Sequence, residues 1–296
     1  MDKIVVIVNA GAGLGYCGGW TAALEEKFRS QGIDPDITLA KSGDEMIARA
    51  ERAVKEGAPV VVAGGGDGTI NAVASVLAGT ETRLGVLPLG TLNHFAKDLK
   101  IPLDLDAAVA NVVHGQTGKV DVGEVNGRIF LNNSSLGIYP DIVRDREKQQ
   151  KHLGRGKWPA FGRAMFAALR RFPFLNVRLK INGDEHLRRT PFVFIGNNEY
   201  LQGLTLGARE RIDSGKLCLY VAQKPTRLGL LRYAAHALFG KLEAARDFDV
   251  LSASSLEIET RHHHLRVATD GEVTLMKPPL CYRSRAAALS VIVPAV

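Results

Sequence analysis

The sequence is poor in cysteine and aromatic residues and has no long hydrophobic run. Its three cysteines, Cys17, Cys218 and Cys281, are odd in number, far apart and in no metal-ligand spacing. That argues against a disulfide framework or a zinc site and for a reducing compartment. No stretch of ~18 uninterrupted apolar residues occurs, so no membrane-spanning helix is expected. The early charges Asp2 and Lys3 precede only a short apolar run, which is no signal peptide, and a cytoplasmic location is expected. There is no G-x-x-x-x-G-K-[ST], which excludes a P-loop. Internal repeats and low-complexity tracts are also missing. Acids are outnumbered, leaving a net charge of +7 that favours an acidic partner.

Hydrophobic residues make up 46% of the 296, enough to bury the cores of two modest domains. The most informative stretch runs from Val60 to Asn71. Val60-Val61-Val62-Ala63 reads as a buried strand, and the segment from Ile70 reads as a helix. Between them Gly64, Gly65, Gly66, Asp67, Gly68 and Thr69 form a turn nearly free of side chains. Backbone N–H groups converging there at a helix N-terminus make a phosphate cradle. Asp67 would repel a phosphate unless a divalent cation lay between them, so the combination points to a metal-nucleotide. The bland alternative is a glycine-rich turn with Asp67 as N-cap.

The preceding chain reads as a strand at 3–8, a glycine-rich loop at 9–19, a helix at 20–31, a strand at 37–40 and a helix at 43–57. A strand at 84–87 follows the central turn, and a helix is expected at 104–114. This alternation predicts a mainly parallel sheet with helices on both faces. Gly13 to Gly18 satisfies G-x-G-x-x-G, but a single match in a glycine-rich loop is weak. Ligands of open α/β sheets bind beyond the carboxyl ends of strands, so the loops at 9–19, 64–69 and 88–94 can line one crevice.

From about residue 119 the pattern changes to short β-like runs at 119–125, 128–133, 176–182, 190–196, 217–222, 255–260, 264–268, 273–276 and 289–293, some separated by Asn-Gly pairs. The reading is an α/β domain at 1–122 and a β-sandwich domain at 123–296, whose last strand at 289–293 is free to return to the first domain. Two stretches interrupt the β pattern. Arg144 to Arg171 carries nine Lys or Arg and two acids, interleaved with Trp158, Phe161, Met165, Phe166 and Leu169. Such a segment suits an anionic membrane interface, although an ordinary solvated helix reads equally well. Thr226 to Leu242 reads as a core-packing helix. No nucleic-acid-binding module is recognisable, so a nucleic-acid partner is not expected. His262-His263-His264 alternate faces if extended, which favours a polar strand end or turn over a metal site.

A second motif narrows the chemistry. Pro88-Leu89-Gly90-Thr91-Leu92-Asn93-His94-Phe95-Ala96 resembles the P-x-G-T-x-N-D-F-A segment of diacylglycerol/sphingosine-type lipid kinases. Gly65 to Thr69 is shared by several kinases that lack a P-loop, NAD kinases and phosphofructokinase-like enzymes among them. Asp121 to Asn126, Gly196-Asn197-Asn198 with Gly203, and Asp270-Gly271-Glu272 resemble the same lipid-kinase family in the same order. The resemblance implies an N-terminal α/β domain like that of NAD kinases and phosphofructokinases, a C-terminal β-sandwich, and a lipid hydroxyl phosphorylated by ATP between them. It implies that Asn9, Gly64 to Thr69, Thr91 and Asn93 hold ATP, that Asp67 and Asp121 serve Mg²⁺, and that Asp270 acts as base beside Glu272. In isolation Asp270-Gly271-Glu272 reads as a hairpin turn. The sequence departs from the family at His94 in place of the usual aspartate, at Cys218 where relatives carry a structural metal ligand, and at Ala10 and Ala40. Diacylglycerol or a related lipid alcohol at an anionic membrane surface is the expected acceptor, with peripheral membrane association. NAD phosphorylation and a catalytically weak binding protein are the alternatives, and a homodimer is compatible with the sequence.

Overall fold

The computed structural model of the chain describes residues 4–11, 19–137, 174–200, 209, 211–222 and 248–295. The basic segment at 144–171, the run at 226–242, Gly203 and the G-x-G-x-x-G stretch lie outside the described residues.

Strands β1 (Ile4–Asn9), β2 (Pro35–Ala40), β3 (Val60–Gly65) and β4 (Arg83–Pro88) pair in parallel in the order β2-β1-β3-β4. β1 and β3 are buried along almost their whole length. Their unbroken apolar runs follow from helices covering both faces of a parallel sheet. Helices α1 (Trp20–Arg29) and α5 (Leu105–His114) pack Leu24, Phe28, Val109 and Val112 against Val6, Val8 and Val62 on one face. On the other, α2 (Gly43–Lys55) and α3 (Asp67–Leu77) set Met46, Ala50, Ile70 and Val73 against Val5, Ile7 and Val61. Helix starts carry local signals: the Glu45 N–H donates to Ser42 Oγ, and the Ala107 N–H to the Asp104 carboxylate.

The second half is an antiparallel β-sandwich. One sheet runs β12 (Phe248–Ala253), β11 (Leu217–Ala222), β10 (Phe192–Asn197), β7 (Asn133–Gly137), β14 (Leu265–Thr269) and β15 (Glu272–Met276). It faces β8 (Leu175–Ile181), β13 (Ser255–Thr260) and the first part of β16 (Leu280–Val293). Leu136, Val177, Leu179, Ile195, Leu219, Ile258, Val267 and Tyr282 fill the space between. The fold class is therefore an N-terminal α/β domain with a parallel sheet and a C-terminal β-sandwich.

One sheet runs through both halves. β16 pairs with β13 near its start and in parallel with β4 at Val291, while β5 (Gln116–Val125) follows its opposite edge from Tyr282 to Val293. A register shift interrupts that pairing between Arg285 and Leu289, where Ala287 has φ 51°. Asp121, on β5, repairs the break: its Oδ1 accepts the Ala287 N–H at 2.9 Å and its Oδ2 accepts the Gly215 N–H at 2.6 Å. The junction is thus two long strands stapled by a buried carboxylate.

Several strands differ from expectation. β9 (Asp184–Thr190), an edge strand beside β8, is rich in charge, and β12 is the edge of the other sheet. β16 begins nine residues before the expected strand at 289, because its first half alternates exposed and buried positions around Arg283 and Arg285. The run at 128–133 divides into β6 (Arg128–Phe130) and the start of β7. The three consecutive histidines lie exposed between β13 and β14, a polar turn as expected.

Candidate active site

The glycine turn leaves β3 at Gly65 and enters α3 at Asp67, with Gly66 as N-cap and no side chain capping the helix. Asp67 is therefore not the N-cap. The first-turn N–H groups have no intrahelical acceptor and carry the positive end of the helix dipole. Tight packing explains the small residues. A Cβ on Gly65 would sit 2.4 Å from Thr69 Oγ1, and one on Gly64 3.0 Å from Val8 Cγ2. Thr69 Oγ1 in turn accepts from Asn9 Nδ2 at 3.1 Å, while Asn9 Oδ1 accepts the Gly11 N–H at 2.9 Å. The end of β1 is thereby tied to the turn.

The loop after β4 lies directly on this turn. The Leu89 N–H donates to the Gly65 carbonyl at 3.0 Å, and a Cβ on Gly90 would fall 2.4 Å from Gly66 Cα. Thr91 is exposed on the same loop. Asn93 departs from expectation. Its Oδ1 accepts the Gly90 N–H at 3.0 Å, and its Nδ2 donates to the Pro88 and Gly90 carbonyls at 3.1 and 2.9 Å. Both ends of the side chain hold the loop in shape, and φ 51° is a conformation asparagine tolerates, so Asn93 builds the loop rather than reaching a ligand.

The expected metal residues separate. Asp67 Oδ1 accepts the Phe95 N–H at 3.1 Å, drawing the carboxylate toward helix α4 (His94–Asp98) and leaving Oδ2 without a hydrogen-bond partner among the described residues. No group of three His, Cys, Asp or Glu suited to an ion occurs among the described residues. Mg²⁺ fits here nonetheless, because it is commonly held by one or two carboxylates, substrate phosphates and water. Asp121 is 2% exposed, and each of its oxygens accepts one backbone N–H, so among the described contacts it acts as a structural tie. His94 Nε2 is buried with no hydrogen-bond partner among the described residues. Cys218 is buried in β11 against Tyr220 and Phe248, where desolvation pushes its thiol up, an environment foreign to a hard cation.

In the sandwich half, Asp270 and Gly271 form a two-residue hairpin turn between β14 and β15 with φ of 48° and 87°. Glycine or aspartate at such positions is ordinary hairpin chemistry. The turn also aims chemistry. Asp270 Oδ2 accepts the Leu131 N–H at 2.6 Å, and Oδ1 accepts those of Asn132 and Asn133 at 2.9 and 3.0 Å. Burial raises the carboxyl to about 6, against the opposing pull of these three donors and of Arg209. A carboxylate has about four acceptor sites, so Oδ2 keeps capacity for a further donor. Glu272 pairs with Arg128, which also donates to Thr269 Oγ1 at 3.0 Å. Glu272 Oε1 is 3.9 Å from where a Cβ on Gly68 would stand, so the hairpin faces the glycine turn.

Arg209 and Asp98 carry no local sequence signal and were not among the expected site residues. Their ion pair, at 2.7 Å, is buried, and Arg209 also reaches the carbonyls of Leu131 and Asn197 and the Asn132 side chain. Tyr200 donates to the Asn132 carbonyl at 3.1 Å, and its hydroxyl is pushed up to about 12 by burial.

An α/β lobe thus presents a glycine turn at a bare helix end, faced by a carboxylate-bearing hairpin from the sandwich lobe. Residues 3–125 match the diacylglycerol kinase catalytic domain, and 142–293 match the YegS C-terminal NAD kinase beta sandwich-like domain. The chain belongs to this diacylglycerol kinase-type family of kinases. The diacylglycerol kinase of Staphylococcus aureus is 29% identical over 214 residues, covering 68% of this chain and 67% of that protein. A crystal structure from Bacillus anthracis, described as a diacylglycerol kinase, aligns with TM-score 0.70 at 21% identity over 99% of this chain and 97% of that one. Another structure from that organism aligns with TM-score 0.76 at 23% identity and the same coverage. Among the described residues, no helix is long and apolar enough to cross a membrane.

Proposed function

We propose that the protein transfers the γ-phosphate of ATP to the hydroxyl of diacylglycerol or a related lipid alcohol. The observation that carries this reading is the hairpin bearing Asp270, which faces the uncapped start of α3 across one crevice. Phosphoryl transfer needs positioning, charge neutralisation and a base, with little covalent chemistry from the protein. The first-turn N–H groups of α3 donate to the phosphate oxygens, and the glycines at 64–68 and 90 keep side chains out of the way. Asp67 would hold Mg²⁺ together with the phosphates, and the ion would supply charge neutralisation there. Asp270 accepts the proton of the acceptor hydroxyl as that oxygen attacks the γ-phosphorus. The bond to the bridging oxygen breaks, and its electron pair leaves with ADP. A carboxyl titrating near 6 is ionised at neutral pH yet more basic than an ordinary aspartate, which suits this task. Glu272, held by Arg128, flanks the attacking hydroxyl.

The lipid reading draws on the diacylglycerol kinase relatives and on the charge of the chain. The basic, aromatic-studded stretch from Arg144 to Arg171 suits an anionic bilayer, where a peripheral enzyme would meet its acceptor. The test is transfer of labelled γ-phosphate from ATP with Mg²⁺ to dispersed diacylglycerol, monoacylglycerol, ceramide, sphingosine and polyprenol, with soluble NAD alongside. Labelled lipid that disappears in Asp67→Ala and Asp270→Asn supports the proposal. Product with NAD alone moves the assignment to a nucleotide kinase, and no product with any acceptor rejects it.

A further inference from the structure

The crevice is built from two lobes, yet transfer requires a base held at fixed distance from the nucleotide turn. The contacts define a continuous connection. Asp67, in the turn, accepts the Phe95 N–H at the start of α4. Asp98, at the end of that short helix, accepts from Arg209 Nε at 2.7 Å and from the Arg209 N–H at 3.3 Å. Arg209 Nη1 donates to the Leu131 carbonyl at 2.6 Å and the Asn197 carbonyl at 3.0 Å, and Nη2 donates to Asn132 Oδ1 at 3.2 Å. Leu131, Asn132 and Asn133 are the three residues whose N–H groups hold the Asp270 carboxylate. The Arg209 side chain is 1% exposed, and that of Asp98 is 7% exposed. A planar guanidinium with five fixed donors suits this junction of carboxylate and carbonyls, and lysine, with one compact ammonium, does not.

We propose that Arg209 is a positioning residue: it fixes the 131–133 cradle, and with it Asp270, against the helix that follows the nucleotide loop. The inference rests on the kinase reading above and adds a residue to that site. Arg209 itself touches neither the glycine turn nor the hairpin carboxylates among the described contacts, so its effect reaches the reaction through Asp270. The charge that pulls on that carboxyl is Arg209, from the sandwich half; Asp98 pairs with Arg209 from the α/β half, the Tyr200 hydroxyl stands beside the cradle, and Glu272 pairs with Arg128 on the hairpin. Removal of the Arg209 charge leaves burial less opposed, so the Asp270 carboxyl shifts upward.

Arg209→Gln and Arg209→Lys test this, with Asp98→Asn loosening the connection from its other end. In Arg209→Gln, kcat is expected to fall about a hundredfold, within the range for a displaced general base, with the KM for ATP within about threefold of wild type. The acid limb of the kcat profile moves to higher pH, and Arg209→Lys keeps the limb in place while recovering part of kcat. A residue that serves folding alone would lower the melting temperature and leave kcat per folded molecule and the limb unchanged, which would overturn the proposal. The Asp270 carboxyl is titrated by carbon-detected NMR in parallel. An upward shift in Arg209→Gln supports the proposal even without turnover, and no shift overturns it. Absence of transfer by the wild-type protein would reject the kinase reading separately.

Discussion

Replacement of Gly90 by alanine strikes the contact that joins the glycine turn to the loop after β4. A Cβ at Gly90 falls 2.4 Å from Gly66 Cα, 3.2 Å from the Gly66 nitrogen and 2.8 Å from Asn93 Oδ1. Two of these atoms are backbone and cannot rotate aside, and the third is locked by the hydrogen bond it accepts from Gly90 itself. Ordinary carbon contact lies near 3.5 Å, so the loops must part by roughly 1 Å. Overpacking of this kind costs about 1–3 kcal/mol, and the backbone opposition places Gly90→Ala toward the upper end. The Leu89-to-Gly65 hydrogen bond crosses the same gap and is expected to lengthen. If half of that cost, about 1.4 kcal/mol, falls on the nucleotide-bound geometry, ATP affinity weakens about tenfold. Gly43→Ala is the control, since a Cβ there meets no heavy atom within 4 Å, and its effect should stay within about 0.5 kcal/mol. Urea unfolding and titration with a fluorescent ATP analogue measure the two effects. A Gly90→Ala protein as stable as wild type that binds nucleotide equally well would refute the packing argument.

Further perturbations separate catalytic from structural carboxylates. Asp270 should give the activity profile an acid limb near pH 6, with kcat falling tenfold per unit below it, absent from the residual activity of Asp270→Asn. Its stability signature has the opposite direction. The folded carboxyl, raised to about 6, holds its proton where the unfolded one has lost it, so wild-type stability falls by up to about 3 kcal/mol as pH rises from 4 to 6. Urea midpoints across that range should show the fall in wild type and lose it in Asp270→Asn. Asp121→Asn strands one of two buried N–H donors at a cost of about 1–3 kcal/mol, yet should leave the Mg²⁺ concentration for half-maximal activity unchanged. Asp67→Asn should raise that concentration by at least about tenfold, as expected when a hard cation loses its carboxylate.

The legible parts of this chain were those where one local rule decides the outcome. β1 and β3 are continuous apolar runs because both faces are covered, and the glycine turn is visible because only glycine fits between Val8, Thr69 and the loop at Gly90. The helices at 43 and 105 announce themselves through Ser42 and Asp104. Edge strands obscure their pattern: β9 pairs on one side and carries charges on its faces, with Leu187 70% exposed. The first half of β16 carries no continuous apolar run, and one of its two partners, β5, lies more than a hundred residues away. The site divides in the same way. Asp67 and Asp270 stand in motifs, and so do Asn93 and Asp121, but these two turn inward to satisfy backbone groups. Arg209 had no signal at all, since nothing around position 209 says that its guanidinium meets Asp98 and the carbonyls of Leu131 and Asn197.

In the proposed reaction a nucleotide held at the glycine turn meets a lipid hydroxyl activated by Asp270. The most direct measurement is transfer of labelled γ-phosphate from ATP to micellar diacylglycerol at neutral pH by wild type and Asp270→Asn, with ATP affinity measured on the same preparations. Wild type is expected to yield labelled phosphatidate, and Asp270→Asn to transfer at least about a hundredfold more slowly, as for loss of a general base, with affinity for ATP preserved. Equal transfer by the two proteins, or loss of ATP binding along with transfer, would contradict the proposed reaction.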